Sequence, residues 1–485
     1  MSDKVTHVWT GASQLEPRLD AEFYQPHFLA AERRLRSVPV TRFHSLWLQS
    51  NRIYIGIAGF TERTEPRAYT PYIRPTDVGP NGEIDWSRIA WCYADWLNDY
   101  SANGCANAGD LLVEVKGNTR RVAVVDSGVP KDCIVSGSFW RLSLNDEANP
   151  RFVLAFLLSN TGQLLKRRWV SNSVISWIDP HSFRSFLIPV PDRRIQDFIG
   201  AKVELAERCR RRAQALRSEA EDLFNALLKT ASFRPSTALT NTVDPRAITD
   251  RLTGEFYLPR YLELERHLAT LDVKAKPLRE LLREDVIRSS TPDRIEDGAV
   301  PCILTSDIDP HEILWREPSL RITPAVNDNH GGRLNALDVV YTSVGPPVGE
   351  AALVLPQFLP MAVGGDVSII RHGKALHPGY LSLYLNSVFG RMQNDRYSRG
   401  IRQRRVYPDD IGAFLIPALS LEHQQFIGDR IVQHQALNEQ AVDLVNAART
   451  DVEALIDGAL NTAAIVSGRL EAPSSNDIPG LEEEA

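Results

Sequence analysis

Any fold this chain adopts must be built twice, because the sequence is written twice. RLDAEFYQPHFLAAERRL (Arg18 to Leu35) returns as RLTGEFYLPRYLELERHL (Arg251 to Leu268), 233 residues later, with 10 of 18 positions identical. FLIPVPDRRIQDFIG (Phe186 to Gly200) returns as FLIPALSLEHQQFIG (Phe414 to Gly428) at an offset of 228. Weaker echoes keep the register between these matches. Ile73 and Asp77 answer Ile303 and Asp307 at an offset of 230. NAGDLLVEVKG (Asn107 to Gly117) answers NALDVVYTSVG (Asn335 to Gly345), and NPRFVLAFLLSNTG (Asn149 to Gly162) answers HPGYLSLYLNSVFG (His377 to Gly390), both at 228. Solenoid units repeat every roughly 20–50 residues, so this repeat is a whole domain with its trailing helix. A chain that carries one module twice can face a target at two places, which favours recognition over a single active site.

Each copy runs in the same order: a short amphipathic segment, a strand-rich stretch, then a long helix. LLVEV, VAVV and CIVSGSFW in the first copy, and DVVYTSV, AALVL and VSII in the second, are β-branched and apolar runs broken by Gly, Pro and Asn. RFVLAFLLSN and GYLSLYLNSV, each just after a proline (Pro150, Pro378), predict one helix inside each stretch. The spacing of Ala206, Cys209, Ala213, Leu216, Ala220, Leu223 and Leu227 predicts a heptad seam. Leu437, Ala441, Leu444, Ala448 and Leu455 form its counterpart, with a polar interruption at Asp451. The first helix carries nine bases and seven acids from Asp192 to Lys229, and the second is net acidic, so the two are expected to pack antiparallel. At ~1.5 Å per residue, a helix from Arg193 to Lys229 would span about 55 Å, a length suited to spacing two readers along a duplex of ~34 Å per turn.

The expected class is therefore α+β: two pseudo-symmetric strand-rich domains joined by two long antiparallel coiled-coil helices. The expected boundaries are 1–188 for the first domain, 189–232 for its helix, 233–416 for the second domain, 417–466 for its helix, and 467–485 for an acidic disordered tail. That tail, from Glu471, has five acids and no base. The net charge of −6 is unevenly placed: setting aside −5 in the tail and −5 between Leu421 and Leu460 leaves the rest at +4. No run of 18 apolar residues suggests a membrane span. MSDKVTHVWT lacks the apolar core of a signal peptide. The five cysteines have no ligand-like spacing, so a cytoplasmic protein with reduced thiols and no metal is expected.

LDAEFYQP and LTGEFYLP at the head of each half, GDLLVEVKGNTRRVAVV, and the FLIPVP and FLIPAL boundaries leading into long helices together resemble the specificity (S) subunit of Type I restriction–modification systems. The resemblance covers about Leu19 to Leu460. It implies that each strand-rich part is a target recognition domain for one half of a split sequence in double-stranded DNA. It also implies that the helices are spacers that bind partners. The implied partners are two copies of an adenine-N6 methyltransferase subunit, which uses S-adenosylmethionine, and a motor–nuclease subunit where the system restricts. The chain itself would hold no cofactor and carry no catalysis.

Basic loops supply the candidate DNA contacts. Arg391, Arg396, Arg399, Arg402, Arg404 and Arg405 lie in a run with one acid, Asp395. Arg clamps phosphates or reads guanine edges bidentately. The equivalent first-half run holds Lys166, Arg167 and Arg168. EVKGNTRR places Lys116, Asn118, Arg120 and Arg121 on a hairpin loop, where the second half has the nearly uncharged TSVGPPVGE. NRIYIGIAGFTERTEPRAY (Asn51 to Tyr69) and NDNHGGRLN (Asn327 to Asn335) are further polar loops. The EFY segments (Glu22 to Pro26, Glu255 to Pro259) read as scaffold. Two readers of different half-sites should share scaffold and differ in contact loops.

No [DN]-P-P-[YF] tetrapeptide for a flipped adenine, no phosphate-binding G-x-x-x-x-G-K-[ST] and no G-x-G-x-x-G is present. Two rival readings stand beside the DNA reader. Asp99 or Asp110 with Glu114 and Lys116 resembles a metal-dependent nuclease core. A two-headed protein adaptor would need no DNA contact at all.

Overall fold

The computed structural model describes residues 15–481 apart from 17, 52–68, 87, 96, 98–104, 172–174, 250, 296–297 and 401. The chain forms two compact units, Met1–Arg210 with Glu439–Ala485, and Arg211–Asn438. Both long helices, Arg193–Leu227 and Leu421–Ile456, are shared out between the units. Each helix contributes about half its length to each unit. Among the described residues no helix is long and apolar enough to cross a membrane.

The duplication extends to the main sheets. In the first unit a four-stranded antiparallel sheet runs Trp47–Asn51, Phe139–Leu144, Leu111–Glu114, Val122–Val124. In the second it runs Ile287–Arg288, Val367–Ile370, Val339–Thr342, Ala351–Leu353. A three-stranded sheet accompanies each. Its central strand, Tyr69–Ile73 or Val300–Ile303, pairs antiparallel on one side and parallel on the other. The central strands Leu111–Glu114 and Val339–Thr342 are buried along their whole length, as uninterrupted apolar runs require when both faces are covered. Asp77 and Asp307, also buried, use a carboxylate to accept the backbone N–H of the residue three before (Arg74 2.8 Å, Leu304 2.9 Å). Each thereby closes the turn that leaves its strand.

The single helix predicted after each proline is two helices. Pro150–Leu158 is followed by Asn160–Arg168, and Pro378–Asn386 by Val388–Tyr397. Ser159 and Ser387 make the break. Each hydroxyl accepts the N–H of Gly162 or Gly390 and caps a new helix start. The first helix of each pair docks on a long helix through one shared device: the amide oxygen of Gln196 or Gln424 accepts the N–H of Asn149 or His377, 2.9 Å in both.

Glycine lets these elements close. A Cβ on Gly428 would lie 1.8 Å from His377 Nδ1, and one on Gly200 would lie 2.9 Å from Asn149 Nδ2. Gly428→Ala is expected to destabilise the second unit by ~1–3 kcal/mol, the cost of overpacking. Gly200→Ala should cost the first unit less, because only the end of one side chain must move. Urea midpoints of the two variants test the ranking, and equal shifts would refute it.

The long helices run antiparallel, as each unit shows separately. In the first, Lys202 pairs with Asp451 and Arg194 donates to the Val466 carbonyl. In the second, His434 Nδ1 lies 2.9 Å from the Ala213 carbonyl oxygen and Arg430 pairs with Glu219 at 2.7 Å. Asp451, the polar interruption in the predicted seam, is thus the partner of a lysine. Ala206, Cys209, Ala213, Leu216 and Ala220 are buried as the heptad spacing requires. Beyond them the buried positions become Phe224 and Leu228, with Leu223 and Leu227 less deeply buried. The seam slips because the helix there enters the core of the second unit. The stretch expected to be a tail is described as far as Leu481. Ser475–Asp477 forms a helical turn capped by Ser474, and Ile478 and Leu481 are buried.

Candidate nucleic-acid interface

In both units a hairpin and a return loop are held side by side by equivalent hydrogen bonds. In the first, Ser171 and Trp177 form a bridge, and Trp177 also bridges to Lys116. Ile178 N–H donates to Val115 at 2.9 Å and Ser171 N–H to Trp177 at 2.8 Å. In the second, Arg399 bridges to Arg405, and Arg404–Arg405 pairs with Val344–Gly345. Val406 N–H donates to Ser343 at 2.9 Å and Arg399 N–H to Arg405 at 2.8 Å. Every one of these hydrogen-bonded positions is 228 residues from its counterpart.

The first hairpin is organised by a buried carboxylate. Glu114 accepts the backbone N–H groups of Asn118 (3.1 Å) and Arg121 (2.9 Å). This folds the turn so that Asn118 and Arg120 are exposed, with Lys116 and Arg121 half-buried beside them. Asp110, also buried, accepts from Arg141 (2.7 Å), Ser143 (2.6 Å) and Asn107 N–H (2.8 Å). Both carboxylates thus hold the fold. Among the described residues no group of three acidic, His or Cys side chains could hold a metal. Asp99 lies outside the described residues.

The structure sorts the other candidates sharply. Arg167 is exposed, but Lys166 and Arg168 are buried and are corrected from contacts to framework. Lys166 Nζ reaches the Arg121 carbonyl at 3.3 Å, beneath the hairpin. It lines a small apolar cavity with Val113, Leu157, Trp169, Ile178, Phe183 and Phe186. Burial pushes its ammonium down to about 7, against the pull of Glu114. Arg168 donates through Nε to the Phe23 carbonyl (2.8 Å), pairs with Glu32, and stacks 3.9 Å from the Phe23 ring centre.

Arg396 repeats that arrangement on Phe256 and Glu265. It donates to the Phe256 carbonyl at 3.1 Å, pairs with Glu265 at 2.5 Å, and lies 4.2 Å over the Phe256 ring. It too is corrected to framework, and the EFY segments that both arginines hold are scaffold. Arg391 is half-buried and reaches Asn386 (3.4 Å) and Glu350 (3.8 Å).

Arg399, Arg402, Arg404 and Arg405 remain, all exposed on one loop. Asp410 holds Arg399 (3.0 Å), Asp395 holds Arg404 (3.2 Å), and the side-chain amide oxygen of Gln403 holds Arg405 (2.9 Å). These interactions fix the loop's shape and leave a net positive rim. The Asn327–Asn335 stretch contributes part of a helix, Pro324–Asn329, and a buried Asn327 rather than a free polar loop. The Asn51–Tyr69 loop lies almost wholly outside the described residues. Reasoning from sequence passed over Ile175 and Trp177, which are 55% and 38% exposed on the first return loop. The signal is present in the chain, since Trp177 stands where the second copy has Arg405.

No protein-family model matches the chain. No curated protein matches it. Solved structures do. The chain is similar over 87% of its length, and over 97% of the other chain, to the crystal structure of an HsdS subunit from Thermoanaerobacter tengcongensis, at 18% identity and a TM-score of 0.29. A structure described as the basis of complex assembly and conformational transition of the type I R-M system is similar over 87% of this chain and 99% of that one, at 16% identity and a TM-score of 0.29. The crystal structure of a Type-I restriction-modification system S subunit from M. genitalium is similar over 87% of this chain and 96% of that one, at 12% identity and a TM-score of 0.45.

Proposed function

We propose that the chain is a DNA-reading subunit whose two units each address one half of a bipartite duplex target. In this reading it directs two copies of a partner adenine-N6 methyltransferase, with S-adenosylmethionine bound in the partner, and a motor–nuclease where the system restricts. The observation that carries the reading is the doubled hairpin and return loop: the backbone scaffold is kept, and nearly every exposed side chain on it is exchanged. A catalytic or purely adaptor module has no reason to vary one pair of loops while holding its framework fixed. A pair of readers for different half-sites does.

Changing Arg399, Arg402, Arg404 and Arg405 together to Ala tests it in the assembled complex. All four are exposed, so the fold should persist. Affinity for DNA should fall, and the dependence of log affinity on log salt should flatten by up to ~0.9 for each phosphate left without its arginine. An unchanged affinity and slope would overturn the loop assignment and favour the adaptor reading. Methylation sequencing of host DNA with and without the gene provides the wider check: a split adenine-methylated motif should vanish on deletion.

A further inference from the structure

The two loops of each unit carry opposite chemistry, and the opposition is exchanged between units. In the first, the hairpin is basic (Lys116, Arg120, Arg121), and the return loop presents Ile175, Ser176 and Trp177. In the second, the hairpin is apolar, with Pro346 and Pro347 exposed, and the return loop presents Arg399, Arg402, Arg404 and Arg405. One register position meets the hairpin directly in both. Trp177 bridges to Lys116, and Arg405 pairs with Val344. At that shared place one unit exposes an indole and the other a guanidinium steadied by the Gln403 amide oxygen at 2.9 Å.

We infer that this position, Trp177 in the first unit and Arg405 in the second, selects the base met there: thymine by the first unit and guanine by the second. This rests on the DNA-reading function proposed above. The chemistry follows from the major-groove edges. A guanidinium donates two N–H groups to guanine O6 and N7, whereas the thymine C5-methyl offers only apolar contact. An aromatic face has no charge with which to hold guanine, and Arg gains nothing from a methyl. The neighbours reinforce each choice, Ile175 beside Trp177 and Arg404 beside Arg405.

The test uses the assembled complex on duplexes carrying its own split site with single base analogues. Deoxyuridine for thymine in the first half-site removes one methyl and should weaken the wild type about fourfold, the effect of one buried methyl-sized group. It should not weaken Trp177→Ala further. 7-Deazaguanine in the second half-site removes N7 and should weaken the wild type at least about tenfold, with no further loss in Arg405→Ala. Trp177→Arg should move the preference of the first half-site towards guanine. Analogue penalties that are absent, or identical in wild type and variants, would overturn the assignment while leaving the DNA-reading function in place. Equal affinity for the split site and random duplex would remove that function and this inference together.

Discussion

Arg168→Ala is expected to destabilise the first unit by about 3 kcal/mol, in the range for breaking a buried ion pair from one side. The guanidinium lies with 3% of its side chain exposed, between the Phe23 ring, the Phe23 carbonyl and Glu32. Its removal leaves a buried carbonyl without a donor and opens a gap against an aromatic face. Glu32 would keep Arg36, its other partner at 2.5 Å. Burial works against the ionised Glu32, but the two arginines outweigh it and hold its carboxyl below the ordinary value. Arg396→Ala should follow the same course at about 2 kcal/mol, because Glu265 is 44% exposed and recovers hydration more readily. Lys at either position should rescue little, since one ammonium cannot donate to the carbonyl while stacking flat on the ring. Chemical denaturation with hydrogen exchange resolved by peptide checks both. If either arginine instead contacted DNA, its removal would spare stability and weaken binding.

That contrast shows what could be read from the sequence and what could not. The offset of about 230 revealed the doubled architecture, the strand-rich stretches and the paired helices, because a register held over so many residues survives divergence. Charge density misled at the sites. A run with six arginines reads as surface, yet it passes from two half-buried residues, Arg391 and an Arg396 held on Phe256 and Glu265, to the exposed Arg399, Arg402, Arg404 and Arg405. Tertiary packing decides which arginine meets a carboxylate, and composition carries no record of it. A better discriminator lay within the chain. Arg168 and Arg396 are the same residue in both copies, as are their partners Phe23 and Phe256, and Glu32 and Glu265. Positions that the copies share are framework. Positions where they differ on the exposed loops, such as Trp177 against Arg405, carry what is particular to each unit. By that criterion Arg168 and Arg396 belong to the framework from the outset.

The same comparison predicts that the two units respond to pH in opposite windows. The second unit buries two histidines, His311 and His434, where the first has Asn81 and Ala206. Burial, aided by the positive charges of Arg217 and Arg391, pushes the His311 imidazole down to about 3. Burial likewise pushes His434 down to about 4, against the Ala213 carbonyl that accepts from it. Unfolded, both titrate near the ordinary 6.5. Between pH 6.5 and about 4 the unfolded state therefore takes up protons that the folded state refuses, and the second unit loses stability as pH falls. At about 1.4 kcal/mol per pKa unit, two such groups amount to several kcal/mol, a large share of a typical domain's total.

The first unit's described histidines, His27, His44 and His181, are exposed. Among its buried bases, Lys166 is lowered to about 7 from 10.5. Between those values the unfolded chain holds a proton that the folded one has released, so the first unit should gain stability as pH rises from 7 towards 10.5. Hydrogen exchange followed peptide by peptide across pH 4 to 9 should show the second unit opening first in acid and the first tightening in mild alkali. His434→Gln should move the acid limit of the second unit downward, and Lys166→Met should flatten the alkaline gain of the first. Parallel pH profiles in the two units, or variants that shift neither, would refute the assignment.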